Sequence, residues 1–213
     1  SNVTEVHQVF LDDALRLKGD GVIDHTFTPA ETRALEELIG SGSPDWDLLF
    51  SMYQVRRIDP MAYLKSEAFL REFEESLERH YPYIAYADAF HSTRSRLLPV
   101  LYLLGVDVPK ADCYHAICTG YGGLLACLGA HLYKKPLLLT EHGIYTRERE
   151  EEIIGAQWVG KAFKQHWIRF FYMLSSLIYT RAWRVTSLYR GAMEMARCLL
   201  HHRNPIREAG LFN

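Results

Sequence analysis

A chain of 213 residues is long enough to bury one sizeable core and too short for two full domains. Hydrophobic residues at 48% and charged residues at 23% sit near globular averages, which excludes disorder and fibrous architectures. A formal net charge of -2, with 24 basic and 26 acidic residues spread along the chain, leaves no footprint for a polyanion, so nucleic acid is not an expected partner.

The cysteines, Cys113, Cys118, Cys127 and Cys198, all fall in the second half, unlike a secreted disulfide framework, and a reducing, cytoplasmic setting is expected. No basic start leads into an apolar stretch, so no signal peptide is expected. Phe170 to Thr180 is the most apolar run, and at about eleven residues between Arg169 and Arg181 it is well short of the roughly 20 that span a bilayer. With no internal repeat and only the short Gly40-Ser41-Gly42-Ser43-Pro44 loop as a linker, residues 1–213 read as a single domain.

In chain order, Val3 to Leu11 alternates as a strand would. Thr28-Pro29-Ala30-Glu31 supplies an N-cap, a proline at N1 and a capping-box glutamate, predicting a helix to about Ile39. Asp59-Pro60 repeats the signal, and Tyr63, Leu64, Phe69, Phe73 and Leu77 share one face of a helix that follows. His91 to Arg96 reads as a cap or a set of ligand donors before an apolar helix from Leu97 to Leu104. Asp112 to Ile117 and Pro136 to Thr140 are short apolar runs of the kind found in buried parallel strands, with a small-residue helix, Gly122 to Tyr133, between them. A long helical region is expected from about Arg147 to Ala182, then a strand, Arg184 to Leu188, entering another helix. This order predicts an α/β fold of Rossmann-like type, with a doubly wound, mainly parallel sheet.

Ligands of such sheets bind beyond the carboxyl ends of the strands, so the loops after Ile117, Thr140 and Thr186 are where chemistry is expected. The first, Cys118-Thr119-Gly120-Tyr121-Gly122-Gly123, does not match G-x-G-x-x-G; it is either a packing turn or an anion-facing helix start. The second runs Glu141-His142-Gly143-Ile144-Tyr145-Thr146-Arg147-Glu148-Arg149. His142 has the donors for a sugar hydroxyl or a phosphate, or caps the strand end, and Gly143 leaves room beside a ligand. Arg147 and Arg149 carry forked phosphate donors, while Glu148, Glu150, Glu151 and Glu152 give the same run the composition of a solvated helical turn. Cys113, His115 and Cys118 form C-x-H-x-x-C without a second ligand pair, so no metal site is expected. His201-His202-Arg203 reads as a polar tail, and no G-x-S-x-G nucleophile elbow occurs.

Two runs, Ala111 to Leu125 and Leu138-Leu-Thr-Glu-His-Gly-Ile-Tyr-Thr-Arg-Glu-Arg149, carry a family resemblance. The chain resembles the N-terminal domain of PelF-like retaining glycosyltransferases, a branch of family 4 with the two-domain GT-B fold. Weaker similarity extends over His91 to Pro109, Trp167 to Phe171 and Arg184 to Tyr189. The resemblance implies transfer from a UDP-sugar to a carbohydrate acceptor in Pel-like exopolysaccharide synthesis, without metal or other cofactor. His142 would face the donor sugar as the catalytic residue, and Thr119, Gly120, Tyr121, Glu141, Gly143 and Arg147 would line the substrate cleft.

The family's glycine-rich first loop would precede Val3, and its C-terminal domain, with the phosphate-binding basic residues and an E-x7-E motif, would follow Asn213. Glu67 and Glu75 have that spacing but lie on an amphipathic helix, as solvent-facing charges. This stretch alone is therefore expected to be inactive. The alternative is a non-catalytic docking module in a membrane-associated polysaccharide assembly on the inner face of the cell membrane. A hydrolase or epimerase on this fold lacks its nucleophile or its dinucleotide fingerprint.

Overall fold

A computed structural model describes residues 2–20, 26–80 and 83–187. The chain is a mixed α/β fold in which a helical half packs against a small parallel sheet. Helix α1 (Pro29–Ile39) begins as predicted: Thr28 Oγ1 accepts from the Glu31 amide at 3.3 Å, and the Glu31 carboxylate accepts from the Thr28 amide at 2.8 Å. Asp45 caps α2 (Trp46–Arg56) and Asp59 caps α3 (Pro60–Leu64), each carboxylate accepting an amide of the first turn.

Several expectations are corrected. Val3 to Leu11 is not a strand: residues 2–10 carry no regular secondary structure and lead into a 3₁₀ helix, Leu11–Arg16. Alternation specifies a strand where one face is buried, and here Val3, Val6 and Phe10 are exposed. The helix after Pro60 is two helices, α3 and α4 (Glu67–His80). Ser66 divides them, its hydroxyl donating to the Tyr63 carbonyl at 2.7 Å and accepting from the Phe69 amide at 3.2 Å. The apolar face survives the break, since Tyr63, Leu64, Phe69 and Phe73 are all buried.

His91 to Arg96 lies inside α5 (Tyr86–Leu104) rather than capping it. Arg96 is 2% exposed; it donates to Ser41 Oγ at 2.9 Å and to Thr93 Oγ1 at 3.3 Å, beneath the Phe170 ring. Polar groups three apart on one helix face satisfy each other there, so a polar run need not end a helix.

Strands β1 (Tyr114–Ala116), β2 (Leu137–Glu141) and β3 (Arg184–Ser187) form a parallel sheet in the order β1-β2-β3, with Ala116 opposite Leu139 and Glu141 opposite Ser187. Helix α6 (Tyr121–Tyr133) links β1 to β2. The long helix expected between β2 and β3 is divided into α7 (Tyr145–Gly155) and α8 (Lys164–Arg181), with Lys164 Nζ capping the Ile154 carbonyl at 2.5 Å. The strand order matches the sequence order with no reversal, so the described strands wind in one direction only. A helix expected after Ser187, the Cys198 region and the His201-His202-Arg203 tail lie outside the described residues.

Tyr114, Ala116, Leu137, Leu139 and Glu141 are buried on one sheet face. The other face carries a hydrogen-bonded row, His115 Nε2 to Thr140 Oγ1 at 2.8 Å and Thr140 Oγ1 to Thr186 Oγ1 at 2.7 Å. Helix α2 joins the two halves: Gln54 donates to the Leu104 and Val106 carbonyls, and Asp47 takes Arg181 Nη1 at 2.8 Å.

Close packing of α6 sets the first measurable consequence. A Cβ at Gly123 would lie 2.6 Å from Ile178 Cδ1 and 2.7 Å from the Cys118 carbonyl oxygen, whereas Gly155 has nothing within 4 Å. Gly123→Ala is expected to destabilise the fold by about 1–3 kcal/mol through overpacking, and Gly155→Ala to be neutral or to stabilise by up to about 1 kcal/mol. Urea unfolding of the two variants checks the contrast.

Candidate functional site

Two of the three loops expected to carry chemistry meet at the carboxyl edge of the sheet. Gly120 is the N-cap of α6, and a Cβ there would lie 2.5 Å from the hydroxyl oxygen of Tyr145, the first residue of α7. The glycine therefore lets Tyr145 close over the first loop. Tyr145 and Tyr121 both set ring edges against Phe171, with centroids at 6.0 and 6.4 Å. Burial pushes the Tyr145 hydroxyl up to about 12 and raises Tyr121 as well, so both stay protonated donors at neutral pH.

Arg149 lies over the Tyr145 ring, 5.4 Å from its centroid, and pairs through Nη1 with Glu152 at 2.6 Å. Its Nε is buried with no hydrogen-bond partner among the described residues. A buried donor left over in this way is a feature that a ligand or water would complete.

At the end of β2, Glu141 is 3% exposed and accepts from the Tyr179 hydroxyl at 2.7 Å. Burial raises its pKa, the Tyr179 hydrogen bond opposes that shift, and nearby Glu148 adds to it. His142 is the reverse case. It is exposed, and among the described residues no side chain or backbone group hydrogen-bonds it.

The residues singled out from the sequence separate into three groups. Gly120, Tyr121, Glu141, His142 and Gly143 sit together at this edge. The space beside Gly143 is occupied by the Glu148 carboxylate, which takes the position a Cβ would need. Thr119 points inward; it is 0% exposed and shares a hydrogen bond with Ser175 of α8 at 2.9 Å. Arg147 is on a different stripe of α7, pairing with Glu151 at 3.0 Å along a groove of about 450 Å³ beside Tyr172.

Arg149, a candidate phosphate donor from the sequence, joins the site with Tyr145, Glu148, Phe171 and Tyr179, which the sequence reading does not single out. The helical spacing of Tyr145, Glu148, Arg149 and Glu152 is the signal that could have found Tyr145 and Glu148, since residues three and four apart share a helix face. Among the described residues no three His, Cys, Asp or Glu side chains are grouped to hold a metal. Cys113 and His115 are both exposed, and His115 is engaged by Thr140. The edge offers an exposed imidazole, carboxylate acceptors, phenol donors and one spare guanidinium donor: a set suited to binding hydroxyl-rich molecules.

The state of Glu141 has a consequence for stability. Because burial lifts its pKa above the ordinary 4.5, the folded chain holds this proton more tightly than the unfolded chain does. Its contribution is fully present below 4.5 and is lost as pH rises through the folded value. Glu141→Gln keeps an acceptor for Tyr179, so its stability is expected to fall less between pH 4 and pH 7 than that of the wild type. Urea unfolding at the two pH values checks this, and equal changes would contradict it.

Comparison with known proteins gives a family and little else. No curated protein and no solved structure matches the chain. No helix among the described residues is long and apolar enough to cross a membrane. One family model does match, over residues 1–197, and the chain belongs to that family, described as Domain of unknown function (DUF3492).

Proposed function

We propose that the chain is the acceptor-side part of a UDP-sugar-dependent retaining glycosyltransferase of the PelF-like, GT-B kind, its Rossmann-like sheet forming one wall of the reaction cleft. The observation that carries this reading is His142: an exposed imidazole that hydrogen-bonds nothing among the described residues, at the carboxyl end of the middle described strand, just before α7 begins. An imidazole with both ring nitrogens open can donate to or accept from a sugar hydroxyl at the strand end. The parallel β-α-β arrangement and the Glu141-His142-Gly143 run support the same reading.

Glycosyl transfer needs the leaving diphosphate and the positive charge growing on the sugar ring to be stabilised in the transition state. In this proposal a second domain supplies the dense positive charge for the diphosphate. His142 hydrogen-bonds the donor sugar as it reacts. Tyr121 and Tyr145 donate to acceptor hydroxyls, Glu148 accepts from them, and Arg149 offers its spare N–H. Pel-like exopolysaccharide at the inner membrane face is the corresponding setting.

Two measurements test it. Calorimetry of this chain with UDP and UDP-sugars is expected to show weak binding or none, and tight binding or turnover would move the donor site here. In the protein joined to its second domain, His142→Ala is expected to lower transfer about 10²-fold or more while changing stability by no more than about 1 kcal/mol. The control is His7→Ala, an exposed residue that pairs with Glu5 at 2.7 Å. Near-normal transfer by a folded His142→Ala protein would contradict the assignment.

A further inference from the structure

Away from the carboxyl edge, three side chains on α2 and α6 form a hydrogen-bonded relay. Ser51 Oγ lies 3.3 Å from His131 Nε2, and His131 Nδ1 lies 2.6 Å from Asp47 Oδ1. Asp47 and Ser51 are one helical turn apart on α2, so a single histidine reaching across from α6 meets both. Asp47 and His131 are each fixed from another side as well. Arg181 of α8 holds the same Asp47 oxygen at 2.8 Å, and the His131 ring packs on Phe50 at 5.3 Å between centroids.

The electrostatics select one protonation state. The Arg181 hydrogen bond keeps Asp47 ionised. Burial, then the charge on Lys134, with Arg181 adding to them, keeps the His131 pKa below its ordinary 6.5 against the pull of Asp47. At neutral pH the imidazole is therefore neutral, with its proton on Nδ1 toward the carboxylate and the Nε2 lone pair toward the Ser51 hydroxyl. A base oriented by a carboxylate and aimed at a hydroxyl is the arrangement that turns a weak nucleophile into an effective one. Ser51 itself is exposed, so an electrophile can reach it.

We infer that Ser51 is a covalent modification site, a serine that His131 and Asp47 activate toward activated acyl esters. In the step, Ser51 Oγ forms a bond to the ester carbonyl carbon, and the carbon–oxygen bond to the leaving group breaks. The hydroxyl proton passes to His131 Nε2 and from there to the departing oxygen or to solvent; no electron carrier is involved. The amides around Ser51 lie in the interior of α2 and are spent on helix hydrogen bonds, so no oxyanion hole is built there. The acyl group is accordingly expected to stay on Ser51 rather than to turn over rapidly.

The test uses the whole chain with p-nitrophenyl acetate and, separately, a fluorophosphonate probe, read by intact mass and peptide mapping. One group is expected on Ser51 and none on Ser176, an exposed serine of α8. Ser51→Ala removes the label, and His131→Gln slows labelling about 10²-fold. The wild-type rate should rise with deprotonation of the imidazole, with its midpoint below 6.5. Absence of label at Ser51, or equal labelling by His131→Gln, overturns the inference. Should His131→Gln fail to fold, the wild-type pH profile decides alone, because an unassisted hydroxyl would show no step near neutral pH.

Discussion

The rest of this structure depends on how closely α6 can lie against its neighbours. Gly123 meets Ile178 of α8 and the carbonyl of Cys118, and Gly129 is covered by the Tyr114 ring of β1, so neither has room for a side chain. Two glycines inside a helix cost roughly 1 kcal/mol each in propensity. Here that loss is offset by close packing of helix on sheet and by burial of Leu124, Cys127 and Leu128. The same approach places the first residue of α6 directly behind the end of β1, and through Gly120 it brings Tyr145 and the second loop alongside the first.

The carboxyl edge that results contains two kinds of polar group. Thr119 and Glu141 are buried and bound to α8, through Ser175 and Tyr179, and they brace the loops from beneath. His142, Tyr145, Glu148 and Arg149 stand above them. This division separates residues that position the loops from residues available to a ligand, although all of them are close in sequence. To this edge the helical half contributes support: α2 is tied to α8 through Asp47 and Arg181, and to the α5–β1 connection through Gln54 and Arg57.

Much of this was legible from the residues. Thr28-Pro29-Ala30-Glu31 marked the start of α1 because capping is local chemistry, and the three strands were legible because short apolar runs ended by turns have few other uses in an α/β chain. What failed depended on partners distant in sequence. Val3 to Leu11 has the alternation of a strand, but Val3, Val6 and Phe10 are exposed and bury no face. The polar run before Leu97 reads locally as a cap or as ligand donors, because nothing nearby reveals that Arg96 reaches Ser41. In the site, proximity in sequence does not mean a shared direction: Thr119 and Arg147 flank the loops but point to α8 and to the α7–α8 groove, and Arg149 is the arginine on the Tyr145 face. Tyr179 could not be found at all, lying 38 positions from Glu141.

The central claim is that hydroxyl-rich ligands meet this chain at the edge formed by His142, Tyr121 and Tyr145. The most direct measurement is a titration of the isotope-labelled chain with short neutral and amino-sugar oligosaccharides, followed by backbone amide and histidine imidazole NMR signals, which register even millimolar affinities. The expected result is saturable shifts confined to residues 119–123 and 141–149, with the His142 ring among the largest. Shifts that saturate elsewhere, with the His142 ring unmoved, would contradict the account.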